Sequence, residues 1–135
     1  MEGYIMWLDF LGDLSTRVLI IAAIIGIVLD VFSGLARAIM HNELSSEKMR
    51  IGLWHKCGFL GLIILGIYMQ WVEIVANISD YLGFAVPTCA GVCIYIIATE
   101  CISIAENLKD INPEIGDSPI GGLTDKHEHK EDGEE

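Results

Sequence analysis

Five polar side chains stand inside long apolar stretches, where their chemistry carries the most information: Asp30, Gln70, Glu73, Glu100 and Ser103. An ionisable group surrounded by hydrocarbon is costly, and it marks an ion path, a proton relay or a buried counter-ion unless a partner or water satisfies it. Asp30 shares a helical stripe with Ala22, Gly26, Gly34 and Ala38, spaced every four residues. Small residues at that interval let two membrane helices approach to backbone contact. Two uses of the stripe stand level: packing against another span of the same chain, or self-association between chains. The Asp30 carboxylate wants a partner in either case, and a packed interface or a water-filled opening would supply one.

The elements that must position these groups are three apolar blocks, at residues 18–38, 55–75 and 82–104. Each approaches the roughly 20 residues a helix needs to cross about 30 Å of hydrocarbon. Hydrophobic residues make up 53% of the chain beside a net charge of −11, so the charge is concentrated outside the blocks. A soluble bundle is the alternative, but the run VLIIAAIIGIVL from Val18 to Leu29 has no polar face. Three such helices in water would expose far more apolar surface than a monomer tolerates. The fold class expected is all-α: an integral membrane protein with three transmembrane helices and a disordered acidic C-terminal tail. Residues 1–111 form the membrane domain and 112–135 a cytoplasmic tail.

Asp30 does not prevent insertion of the first block. About twelve Val, Leu, Ile and Phe residues between 18 and 38 contribute roughly −0.3 to −0.6 kcal/mol each, against about +2.5 to +3.5 kcal/mol for one central Asp. No basic leader precedes the block, since Glu2, Asp9 and Asp13 come before Arg17. It therefore reads as a retained span, with Tyr4, Ile5, Trp7, Leu8, Phe10 and Leu11 at the interface ahead of it. The joint between the first two blocks carries Arg37, Lys48, Arg50 and Lys56, whereas residues 76–81 carry no Lys or Arg. The positive-inside rule puts that first joint in the cytoplasm, the N-terminus outside and the C-terminus inside.

Local signals refine the ends. Ser45 or Ser46 caps a helix that runs into the second span, with Glu47 in its first turn. Pro87 reads as a first-turn proline, and Pro113 stops the third helix near Asp110 or Ile111. Glu73 lies near the outer end of its span, within reach of headgroups. Along the third span Thr88, Tyr95, Thr99, Ser103 and Glu106 share a face, with Glu100 and Asn107 adjacent. Each helix thus has a greasy side and a weakly polar side, which can be shielded within a monomer or turned toward water in an assembly.

No catalytic or cofactor signature is present: no P-loop, no Gly-x-Ser-x-Gly elbow, no HExxH pair and no dinucleotide fingerprint. Cys89 and Cys93 share a face, but no intramembrane His and no paired CxxC spacing accompany them, so packing is the reading for all four cysteines. His127 and His129 sit in the acidic tail and read as solvated. No metal, cofactor or nucleic acid is expected, and the chain is not read as an enzyme.

The stretch DVFSGLARAIMHNELSSEKMRIGLWHKCGFLGLIIL resembles the phage holins of the toxin-secretion and phage-lysis family, through Asp30, Gly34, Arg37-Ala38, Ser46, Gly52 and Lys56. ECISIAENLKDI adds Glu100, Ser103, Ile104, Glu106 and Asn107, similar to that family's serine-isoleucine and glutamate-asparagine signature. The chain departs from the family after this point, with INPEIGDSPIGG and an acidic tail where a glycine and a proline-rich basic segment are usual. The resemblance implies a protein of the host bacterium's cytoplasmic membrane that forms homo-oligomers and opens lesions. Through these a cytoplasmic endolysin, or in related systems a toxin, leaves the cell. The competing function is a non-lytic membrane adaptor or antiholin-like regulator that binds another membrane protein. A small transporter is a weaker reading, because the chain shows no internal repeat.

Overall fold

A computed structural model describes residues 14–84 and 86–117. Helix α1 spans Leu14–Met40, α2 Ser46–Val75, the short α3 Ile78–Leu82 and α4 Thr88–Ile111, followed by a 3-10 turn at Pro113–Asp117. The described residues contain no strand. At about 1.5 Å per residue the three long helices measure about 40, 45 and 36 Å, so each exceeds the roughly 30 Å of bilayer hydrocarbon. All three are long and apolar enough to cross a membrane. The protein is an all-helical, three-span membrane protein.

The helix ends follow from single residues. Asn42 takes a left-handed conformation (φ 54°) just past α1. There its N–H donates to Ile39 O and that of Glu43 to Ala38 O, a Schellman ending that satisfies orphan carbonyls. Three residues later Ser45 is the N-cap of α2, and its Oγ accepts from Lys48 N–H at 3.4 Å. α2 ends on a second left-handed asparagine, Asn77 (φ 49°), and α3 on Gly83 (φ 75°). The apolar block beginning at residue 82 therefore does not begin a helix there. Gly83 closes α3, Pro87 occupies the N-cap position, and α4 starts at Thr88. At the far end Asn112, held extended before Pro113, terminates α4. The 3-10 turn then lies against the last turn of α4, where the Gly116 backbone approaches the Lys109 side chain. The interfacial segment expected at Tyr4–Leu11, the tail beyond Asp117 and both tail histidines lie outside the described residues.

Helix α4 is the centre of the bundle. It packs along α1 and along α2, while α1 and α2 meet at few positions despite their short connecting turn. α1 and α4 run parallel: Gly26 faces Glu100, Gly34 faces Asn107 and Arg37 pairs with Asp110, a nearly constant separation of 73–74 residues. α2 runs against both. The dry part of the interior is small: Ala23 and Ile27 from α1, Ile63 from α2, and Cys89, Cys93 and Ile96 from α4. Large apolar side chains point outward instead, among them Ile64 at 67% exposure and Phe32 at 65%. Polar residues are buried beside the core: Asp30, Glu73, Glu100 and Asn107. A surface this apolar is solvated by lipid, not water.

Candidate functional site

Near the middle of the bundle the three long helices each contribute one charged side chain to a single cluster. Lys56 of α2 places its Nζ 2.8 Å from Asp30 Oδ2 of α1 and 2.6 Å from Glu100 Oε2 of α4. Along the helix axes these residues lie within about 7 Å of the midpoints of their helices, at about 1.5 Å per residue. All three are shielded, with side-chain exposures of 10% for Asp30, 14% for Lys56 and 0% for Glu100. The ammonium also lies 5.5 Å from the Phe59 ring centroid, within cation–π range.

The cluster continues along the α1–α4 seam. Asn107 Nδ2 donates to Asp30 Oδ1 at 3.2 Å and to Ser33 Oγ at 3.0 Å, and Ser33 Oγ donates to Asp30 O at 3.1 Å. One turn further on, Arg37 Nε pairs with Asp110 Oδ2 at 2.5 Å, each side chain nearly half exposed. The half of the seam nearest the α1–α2 turn is therefore a ladder of polar contacts. The other half is the dry packing of Ala23, Ile27 and Ile96. Close approach makes the ladder possible, since a Cβ on Gly26 would lie 3.3 Å from Glu100 Cβ, and one on Gly34 3.6 Å from Asn107 Nδ2.

One atom is left over. Glu100 Oε1 is buried and has no hydrogen-bond partner among the described residues. Two carboxylates share one ammonium, so the formal charge of the cluster is −1. Removing one partner of a buried pair typically costs about 3–5 kcal/mol, because it strands the other charge.

A second polar site holds the opposite end of α4. Glu73 of α2 accepts the Val86 N–H at Oε1 (2.6 Å) and the Gln70 Nε2 at Oε2 (2.9 Å). Gln70 Oε1 accepts the Cys89 N–H at 3.4 Å. These two side chains of α2 cap the start of α4, whose own N-cap, Pro87, makes no side-chain capping bond.

The structure distributes the sequence candidates unevenly. Asp30 and Glu100 meet in the cluster, and Gln70 and Glu73 meet in the cap. Ser103 joins neither: it is half-buried on the α4 face with Tyr95, Thr99 and Glu106, which line a shallow open hollow. Gly26 and Gly34 of the small-residue stripe face α4 of the same chain, and Ala22 and Ala38 are half-buried. One expectation is corrected. Glu73 does not reach toward headgroups but is 6% exposed, because two donors from the α3–α4 connection and α2 hold it inward. Lys56, ten residues into α2, turns its side chain into the bundle against Asp30 and Glu100.

Sequence reasoning missed Lys56 although a signal existed. Asp30 and Lys56 each stand thirteen residues from Glu43 in the turn, so an antiparallel hairpin brings their opposite charges level. Asn107 enters the sequence reading beside the polar face of the third span and in the family signature, but without its partner Ser33.

The described residues hold no group of His, Cys, Asp and Glu able to bind a metal. What the arrangement can do is electrostatic: it ties three helices together near their midpoints and keeps polar atoms inside the bundle. The model of the bacteriophage holin family matches residues 8–118, which covers most of the chain and every residue of the cluster. The chain belongs to the bacteriophage holin family. Neither that family nor this fold is an enzymatic one. No curated protein and no solved structure matches the chain.

In this holin-family chain the Arg37–Asp110 pair should matter less than the buried cluster beside it. Its exposure limits it to about 0–1 kcal/mol. Arg37→Ala is expected to leave the thermal stability of the detergent-solubilised protein nearly unchanged, and a large drop would show that the seam depends on this rim.

Proposed function

We propose that the protein is a holin that inserts into the bacterial cytoplasmic membrane with its N-terminus outside and its C-terminus inside. It accumulates there as shut three-helix bundles and then oligomerises around water. The resulting lesions release a cytoplasmic endolysin, or a toxin, and end in lysis of the host. Family membership supports the general role. The basic residues Lys48 and Arg50 at the start of α2, with Arg37 in the last turn of α1, support the orientation.

The observation that carries the lesion reading is the inverted distribution of polarity. Asp30, Glu100 and Asn107 are buried, with Lys56 shielded beside them, around a dry core of only a few residues. Helices that separate in lipid would expose these groups at prohibitive cost. Helices that separate around water would solvate them, and their outward apolar faces would remain in lipid. An assembly lined by α1 and α4 thus uses both surfaces of each helix.

Induced expression of the chain alone, followed with a potential-sensitive dye, is expected to give a delay and then abrupt depolarisation and arrest of growth. Cells that stay energised at high membrane levels of the protein would contradict the proposal. Co-purification with a second membrane protein in such cells would favour an antiholin-like regulator.

A further inference from the structure

We propose that Lys56 is a latch that keeps the bundle shut, and that the surplus carboxylate beside it sets the latch at less than its full strength. Lys56 is placed for this. Among the described residues it is the α2 side chain with ion pairs to both α1 and α4, and α1 and α2 otherwise touch at few positions. The α1–α4 seam has bonds of its own through Asn107 and Ser33. The α2–α4 seam has the cap at Gln70 and Glu73 and the close approach at Gly66. Toward the α1–α2 turn from the core contact of Ile63, the polar attachment of α2 to the α1–α4 pair therefore rests on one ammonium.

The charge count makes the latch adjustable in a direction opposite to ordinary intuition. Asp30 and Glu100 divide one ammonium between them, and Glu100 Oε1 is left buried without a partner among the described residues. Exchanging Glu100 for glutamine leaves one anion against one cation. The glutamine oxygen still accepts from Lys56 Nζ, its amide nitrogen takes the place of the unpartnered Oε1, and the unbalanced charge is gone. Asp30 is not equivalent, because both its oxygens already accept, Oδ1 from Asn107 and Oδ2 from Lys56. Removing the cation does the reverse and leaves two carboxylates facing each other in a low-dielectric interior. Loss of the positive charge thus opens the bundle, and loss of the negative charge at Glu100 tightens it.

This regulatory contact rests on the holin reading for its consequence in cells, but not for its structural test. Cys89 and Cys93 are buried in the dry core, 1% and 0% exposed, while Cys57 and Cys101 are exposed. With Cys57→Ser and Cys101→Ser as background, the labelling rate of the two core thiols by a water-soluble maleimide in native membranes reports opening to water.

Lys56→Met is expected to label roughly a hundredfold faster than the parent, and Glu100→Gln roughly tenfold more slowly. The triple variant Lys56→Met, Asp30→Asn, Glu100→Gln carries no charge and should return close to the parent rate, which separates charge from loss of folding. A Glu100→Gln protein that labels faster than the parent overturns the proposal, as does a Lys56→Met protein that labels at the parent rate. If Lys56→Met does not accumulate, the direction of Glu100→Gln decides alone. Lysis onset measured in parallel should move earlier for Lys56→Met and later for Glu100→Gln. Labelling rates that shift as stated in cells that never lyse would sink the holin reading and leave the latch standing.

Discussion

Gly66→Leu is expected to part α2 from α4. Gly66 is buried in α2, and a Cβ there would lie 3.4 Å from Cys89 Cα and 3.4 Å from both Cβ and Cγ2 of Val92. Alanine fills that space at the near edge of ordinary contact, so Gly66→Ala should stay within about 1 kcal/mol of the parent. Leucine adds three more carbons with α4 backbone in the way. Overpacking of this kind costs about 1–3 kcal/mol and sometimes more. Here the strain has a cheaper exit than side-chain rearrangement, because lipid can fill the gap when the helices separate. The check is the denaturant fraction needed to unfold the protein in mixed micelles, across glycine, alanine and leucine. A leucine variant as stable as the alanine one would mean that the α2–α4 contact is looser than the distances imply.

How the span count was legible, and the span limits less so, follows from which residues decide each. The run Val18–Leu29 has no polar face, so hydropathy alone places it in lipid. Ser45 and Pro113 act through local backbone chemistry, and the structure has them capping α2 and ending α4 as the sequence suggests. The start of α4 was legible from Pro87 and not from hydropathy. Residues 82–87 are largely apolar, but Gly83 closes α3 and Pro87 stands at the N-cap of α4, one position ahead of the first turn that the sequence assigns it.

The site was legible residue by residue and illegible as a constellation. Asp30 and Glu100 stand out because carboxylates are rare within apolar blocks. Lys56 does not, because a lysine at the edge of a block is the ordinary mark of a cytoplasmic joint. Only the register of the hairpin, which needs the exact turn that Asn42 and Ser45 make, brings Lys56 level with Asp30. Glu100 joins them through the parallel register of α1 and α4, and this depends on which helix occupies the centre. Nothing in the periodicity of a single span announces that α4 does.

The same position of α4 makes its beginning a second point of control, and Glu73→Ala is expected to loosen it. The Val86 N–H and the Gln70 amide both donate to the Glu73 carboxylate, which is 6% exposed. Alanine removes both acceptors and leaves two donors where water is scarce, at about 1–3 kcal/mol for each group left unpaired. Every 1.4 kcal/mol is a factor of ten, so amide hydrogen exchange at Val86 should quicken by about 5- to 150-fold. Glu73→Gln retains one side-chain oxygen for Val86 and should fall well short of that. Exchange at residues near Lys56 should not change in either variant, because the dry core of Ile63, Cys89, Cys93 and Ile96 lies between the two polar sites. If Glu73→Ala also speeds exchange around Lys56, the cap and the charge cluster open as one unit. If Val86 exchange is unmoved, Glu73 does not hold the start of α4 in the membrane.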